Sequence, residues 1–382
     1  MKIQILQENL LKAVNIASRS ISSKAQLPIL ANLLLSTDNN RLKVAATNLE
    51  TGVAIWAGAK VEEEGATTLP SKVFQEYISS LPVEKISLVT KENITTLSTG
   101  TYTASFNGMA ANEFPALPSD GVRIFSFAAK IFSEIINQVA YAAATDEGRP
   151  ILTGVYLKKE GQDLAFVATD GYRLSVKKIK ASQLGKEEAK KGKEKEDFKG
   201  LVIPSRTLLE VAHLISDQGK TEELSVEMGL TKDGNQTIFY FPEAELSSRL
   251  IDGEYPDYAK IIPQEFTTTV TLDREELIRA VKMASIFARD SANIIKFKFD
   301  EGKLLISANS PQVGENSSEM EAKISGEGGE IAFNYRFLLD FLLSVGGSEI
   351  VFEMTGALNP GVFKIKDDPS LLHIIMPVRL QT

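Results

Sequence analysis

One series of landmarks occurs three times in this chain, in the same order, and nothing else in the sequence restricts the fold so tightly. The first landmark is an apolar strand that ends in small residues and a polar turn. It reads Leu42-Lys-Val-Ala-Ala-Thr-Asn-Leu49, then Leu164-Ala-Phe-Val-Ala-Thr-Asp-Gly-Tyr-Arg-Leu174, then Leu304-Leu-Ile-Ser-Ala-Asn-Ser310. A second landmark follows each time: Leu69-Pro-Ser-Lys-Val-Phe74, Ile203-Pro-Ser-Arg-Thr-Leu208 and Ala332-Phe-Asn-Tyr-Arg-Phe337. Phe114-Pro115, Tyr255-Pro256 and Met376-Pro377 close the three copies. Agreement of three markers in order is the signature of an internal repeat. The chain therefore reads as three copies of one domain, over 1–121, 122–264 and 265–382. The middle copy is longer because of one insertion, Lys180 to Lys199, where Lys, Glu and Gly alternate with almost nothing to bury; it reads as a mobile, solvated surface loop.

Hydrophobic periodicity fills in each copy. In the first, a helix from about Glu8 to Ser18 puts Leu10, Leu11, Val14 and Ala17 on one face, and Lys12 and Arg19 on the other. Pro70 and Ser71 open a second helix through Leu81, with Val73, Phe74, Tyr77, Ile78 and Leu81 inward. The middle copy has helices over Lys130 to Ala143, with Ile131, Phe132, Ile135, Ile136 and Val139 inward, and over Ser205 to Ile215. In the third, Asp273 is placed as an N-cap before Glu275 and Glu276. Its helix buries Leu277, Val281 and Ala284 while Arg279 and Lys282 point away. Asn334 caps the last helix, with Phe337, Leu338, Phe341 and Leu342 inward, and the chain finishes as a strand from His373 to Leu380. The expected fold is α+β: three repeated domains, each with two helices on antiparallel sheets.

Composition narrows the function classes. With 382 residues the chain has room for three cores, and 43% hydrophobic against 24% charged residues is a globular balance. No apolar run is long enough to span a bilayer, and the lone Lys near the N-terminus precedes no signal-peptide core, so a cytoplasmic address is expected. The absence of cysteine removes disulfides, thiolate metal sites and cysteine nucleophiles. His213 and His373 are far apart in sequence, have no carboxylate at metal-ligand spacing, and read as structural. Gly219-Lys-Thr221 imitates the end of a phosphate-binding loop, but Leu214 stands where the leading glycine is required. Asp170 before Gly171 is explained by a tight turn. No catalytic constellation or cofactor fingerprint emerges, so the chain reads as a protein without an active site or cofactor. A net charge of −8 argues against bulk electrostatic capture of nucleic acid. It is compatible with a local basic surface, and basic residues recur on the outer face of the first helix in copies one and three.

Thr169-Asp-Gly-Tyr-Arg-Leu174, Asp252-Gly-Glu-Tyr-Pro-Asp-Tyr258 and Met376-Pro-Val-Arg-Leu380 together resemble the bacterial DNA polymerase III beta subunit family, the replicative sliding clamps. Leu27-Pro-Ile-Leu-Ala-Asn-Leu33 and Gly65-Ala-Thr-Thr-Leu-Pro-Ser71 extend the likeness, which runs from Met1 to Leu380 with the triplication in register. The resemblance implies three DNA-clamp domains per chain and a head-to-tail homodimer closed into a ring around duplex DNA, with helices lining the hole. It implies a DNA-facing set of Lys12, Arg19, Lys24, Arg149, Arg279 and Lys282, with Pro150-Ile151 standing where the family has an aromatic DNA-contacting pair. It further implies a groove that takes short linear motifs from the polymerase III catalytic subunit, the clamp loader, other polymerases and repair proteins. Matching groove positions are Leu152, Thr169, Gly171, Tyr172, Arg173, Leu174, Pro256, Lys260, Ile261, Asn334, Leu358, Ile374, Met376, Pro377, Val378 and Arg379. Lys260 stands where the family often has arginine. Arg173 and Arg379 are expected to meet polar or acidic parts of a motif. For the ring seam the resemblance points to Phe106 against Ile286 and Phe287 of a second copy. Two alternatives are a nucleic-acid-processing enzyme, which would need a metal or acid–base cluster, and a clamp-like paralogue serving only as a peptide-binding scaffold.

Overall fold

The structure, a computed structural model, describes residues 1–21, 27–180, 200–219 and 223–379. Lys24 and nearly all of the charged insertion (181–199) lie outside the described residues. The six α-helices among the described residues fall two to a copy: α1 (Gln7–Ser18), α2 (Ser71–Ser79), α3 (Ala129–Val139), α4 (Ser205–Asp217), α5 (Arg274–Ala288) and α6 (Tyr335–Ser344). The remainder is chiefly antiparallel strand.

The chain forms two compact units, and the division passes through the middle copy. The first unit takes residues 1–129 and 214–250. Its eight-stranded sheet joins four strands of the middle copy to four of the first. Strand Ala244–Arg249 pairs with Thr51–Gly58, Leu246 opposite Val53. A five-stranded sheet, ending in strand Tyr102–Asn107, belongs to the first copy alone. Helix α1 packs on α2 and on the Thr51–Gly58 strand, burying Leu10, Ala13, Val14, Ile16 and Ala17. On α2 the inward line is Phe74 and Ile78, Leu81 is buried just past the helix end at Ser79, and Val73 is 57% exposed against expectation. At about 100° per residue Val73 lies a quarter-turn off the Phe74–Ile78 line, at the rim of the buried stripe.

The second unit contains the rest of the described chain. Its nine-stranded sheet runs from the middle copy into the third, with strand Arg173–Lys180 paired to Asp368–Ile375. A four-stranded sheet lies wholly in the third copy. Helices α5 and α6 pack together over a core in which Phe297, Phe333, Phe352 and Phe363 meet edge to face or tilted, all fully buried. Asp273 caps α5 by accepting from the Glu276 amide at 2.8 Å, and Asn334 caps α6 by accepting from Arg336 at 3.0 Å. The last strand stops at Ile375 rather than reaching Leu380. Pro377 has no amide to offer a ladder, and the flanking amides diverge: Met376 donates to Tyr172 O and Val378 to Ala332 O, each at 2.8 Å.

Candidate functional site

The residues implied for the groove are built around the turn between strands Asp163–Thr169 and Arg173–Lys180. Its geometry follows from five consecutive residues, Thr169 to Arg173. The Thr169 hydroxyl donates to Arg173 O (2.5 Å) and accepts from the Gly171 amide (3.0 Å). Asp170 Oδ1 accepts from the amides of Tyr172 (2.8 Å) and Arg173 (3.0 Å). Gly171 sits at φ +92°, which costs a residue without a side chain little. Asp170 is thus a turn residue, as its sequence context implies.

Beneath this turn, Leu174 lies opposite Ile374, and Ile374 opposite Val362, so three neighbouring strands present one apolar row. The three are buried with Tyr255 and Tyr258 in a single cluster. Leu174 and Ile374 therefore serve as core, and Leu152 is buried as well. The more accessible members come from the segments that border this row. Tyr172 and Leu358 are about three-fifths exposed. Ile261, Asn334, Met376, Pro377 and Val378 are half-buried, and Pro256, Lys260 and Arg379 are exposed. Lys260 pairs with Asp257 at 3.2 Å on the surface. The arrangement is an apolar floor with an adaptable rim that includes methionine, suited to short hydrophobic segments.

Arg173 does not play the part expected of it. Only 9% of it is exposed, and its guanidinium is engaged inside the chain. Nε donates to Asp170 Oδ2 (3.0 Å), one terminal nitrogen to Asp340 Oδ2 (2.5 Å) and the other to Tyr141 O (2.7 Å), with the Phe337 ring 4.7 Å from the guanidinium carbon. It is a strut of the groove, and the acceptors it would need in a peptide are already supplied by its own chain. Behind it His373 is fully buried, with Nδ1 at 2.7 Å from Ser175 Oγ and 3.1 Å from the Tyr141 hydroxyl, stacked on Phe341. Burial, aided by the charge of Arg173, pushes the His373 imidazole down to about 3. Burial likewise pushes the Tyr141 phenol up.

The implied DNA-facing residues divide between the units. Lys12 on α1 and Arg19 at its C-terminal cap are exposed beside an open cleft of about 470 Å³, but Arg19 is ion-paired with Asp217 at 2.6 Å. On α5, Arg279 and Lys282 are exposed, and no ion pair engages them among the described residues. Arg149 is exposed in the second unit beside the groove turn: its guanidinium lies 3.5 Å from where a Cβ on Gly171 would stand. Of the implied seam residues, Phe106 is 7% exposed and packs edge-on against Phe74 and Tyr77 in its own domain. Ile286 is 53% exposed and Met283, one turn earlier on α5, 48%; Phe287 is half-buried against the core of the third copy.

The threefold repeat is matched along its whole length by models of three successive domains. The N-terminal domain of the DNA polymerase III beta subunit matches residues 1–118, the central domain 126–257 and the C-terminal domain 259–379. The chain belongs to the DNA polymerase III beta subunit family. The beta sliding clamp of Synechocystis is 31% identical over 395 residues, and that of Staphylococcus aureus 26% over 394, covering all or 99% of each chain. Among solved structures, the Bacillus subtilis sliding clamp superposes with a TM-score of 0.90 at 27% identity. A Pseudomonas aeruginosa clamp bound to griselimycin does so at 0.89 and 26%, and both cover each chain completely. The chain is accordingly a replication processivity clamp of three domains, an accessory factor and not a catalyst. The family implies DNA and polymerase as partners and a homodimer. No helix of the described residues is long and apolar enough to cross a membrane.

Two residues that hold Arg173, Asp340 and Tyr141, escape sequence reasoning. A signal for the first exists: Asp340 is the sole acidic residue of α6, one turn after Phe337 and flanked on both sides by apolar residues.

Proposed function

We propose that this chain closes head to tail with a second copy into a ring that encircles duplex DNA, slides on it, and tethers polymerases through the groove. Its clamp domains extend over 1–121, 122–264 and 265–382. The observation that carries the reading is the full-length likeness to sliding clamps in an acidic chain of net charge −8. A ring holds DNA by topology and needs few phosphate contacts; many contacts would add steeply salt-dependent affinity and brake sliding. Arg279 and Lys282 on α5, with Lys12, Arg19, Lys24 and Arg149, supply that sparse lining. The seam forms where strand Tyr102–Asn107, the edge of its sheet and the carrier of Phe106, meets the exposed Met283 and Ile286 and the half-buried Phe287 of a second copy.

The groove accepts short linear motifs of the polymerase III catalytic subunit, the clamp loader, other polymerases and repair proteins. Tyr172, Leu358, Met376, Pro377 and Val378 offer the apolar contact, while Lys260 and Arg379 stand at the rim. The protein works in the cytoplasm, on replicating DNA. The test is to load it with its clamp loader on nicked circular DNA and then linearise the circle. Prompt release on linearisation is expected, whereas retention equal to that on the intact circle refutes encirclement.

A further inference from the structure

One carboxylate outside the groove has a direct hold on its geometry. Asp340 projects from α6 in the third domain, 46% exposed at its side chain, and accepts from Arg173 at 2.5 Å. Arg173 belongs to the turn of the central domain, and its backbone closes that turn through Thr169 and Asp170. The same turn holds the start of the C-terminal tail, since Tyr172 O accepts from the Met376 amide. Asp340, Arg173, the turn and Met376 thus form one continuous chain of hydrogen bonds. An arginine fork bonded on both sides fixes direction as well as distance.

We propose that Asp340 is a positioning residue for motif binding: it sets the Arg173 guanidinium and through it the turn and tail that border the groove. It touches no bound peptide. The inference rests on the groove reading above, and deepens it by making the partner affinity of a central-domain turn depend on a third-domain carboxylate. Coupling through such a strut predicts a loss of about fivefold to tenfold in affinity when the charge is removed.

The experiment measures binding of the full-length chain to immobilised polymerase III catalytic subunit from the same organism. Three variants are compared with the parent: Asp340→Asn, Asp340→Glu and the rim variant Leu358→Asp. The expected result is strong loss for Leu358→Asp, about fivefold to tenfold weakening for Asp340→Asn, and recovery of most of the affinity by Asp340→Glu. Amide exchange should quicken at Gly171 to Arg173 in Asp340→Asn while strand Ile294–Asp300 keeps its protection and the dimer persists. Parental affinity in Asp340→Asn, with Leu358→Asp impaired, overturns the positioning role and leaves the groove standing. Parental affinity in Leu358→Asp overturns the groove reading itself. Should Asp340→Asn fail to fold, Asp340→Glu alone decides: turn protection and affinity that both stay parental or fall together support the strut, and parental affinity with an exchange-labile turn overturns it.

Discussion

The turn at Thr47 to Thr51 in the first domain and the turn at Thr169 to Arg173 in the central domain are one piece of structure written with different residues. In both, a threonine hydroxyl donates to the carbonyl four residues on (3.0 and 2.5 Å) and accepts from the amide two residues on (3.0 Å in each). In both, an Asn or Asp Oδ1 accepts two successive amides: Glu50 and Thr51 for Asn48, Tyr172 and Arg173 for Asp170. The middle residue is left-handed each time, Leu49 at φ +75° and Gly171 at +92°. Even the next contact repeats, with Arg249 N donating to Glu50 O and Met376 N to Tyr172 O. The last position separates them. Thr51 ends the first turn, whereas Arg173 ends the second and reaches Asp170, Asp340 and Tyr141. Duplicated backbone supplied the junction twice, and a single guanidinium distinguishes the copy that borders the groove.

Replacing that guanidinium should have the largest effect. Arg173→Thr gives the second turn the terminal residue of the first. It leaves the carboxylates of Asp170 and Asp340 without their partner, Asp170 being the more buried of the two. Breaking a buried pair from one side costs about 3 kcal/mol, which should appear as a lower urea midpoint at unchanged slope. A variant as stable as the parent would mean the two turns are energetically alike and the comparison empty.

A pH titration probes the same junction more gently. His373 pairs across the sheet with Ser175, just behind Arg173, and has no counterpart in the first junction, where Leu246 lies opposite Val53. Its folded-state pKa of about 3 lies below the ordinary value of 6.5. Between those values the unfolded chain binds the additional proton, so stability is complete above pH 6.5 and declines as pH falls toward 3. From pH 7 to pH 5 the loss should be about 2 kcal/mol in urea denaturation. His373→Phe should flatten that slope, since Ser175 Oγ still donates to the Tyr141 hydroxyl at 2.9 Å without the imidazole. An unchanged slope in the variant would place the titrating group elsewhere.

Much of this was legible in sequence, for reasons visible in particular residues. The helices were, because Leu10, Val14 and Ala17, or Leu277, Val281 and Ala284, recur at the period that a helix imposes. The caps Asp273 and Asn334 were, because a cap is a local bond. What escaped depends on contacts between distant segments. Val73 has the right chemistry and sits a quarter-turn from the buried line. Strand pairing across copies placed the compact-unit division inside the central domain, where its own landmarks show no break. Arg173 reads as a free cation until α6 brings Asp340 to it from 167 residues away. The edge-on packing of Phe106 against Phe74 and Tyr77 is likewise a contact between distant segments.

The likeness of the two turns is legible in Ala-Thr-Asn and Ala-Thr-Asp, but their shared left-handed residue is not, since leucine seldom adopts that backbone and Gly171 adopts it freely. That mismatch makes the smallest but most discriminating test. If the two backbones are one design, the same position should respond with opposite signs. Gly171→Ala puts a Cβ on a left-handed residue; the nearest atom, an Arg149 nitrogen 3.5 Å away, is in ordinary contact, so the cost is conformational, about 1 kcal/mol. Leu49→Gly relieves the same strain at a side chain already 48% exposed, so little burial is lost. Part of the relief is offset by the greater freedom glycine has in the unfolded chain, leaving a gain of about 0.5 kcal/mol. Urea midpoints of the two variants should therefore move in opposite directions. If both fall, Leu49 contributes packing that its exposure conceals, and the first turn is held by its side chain where the second is held by its backbone.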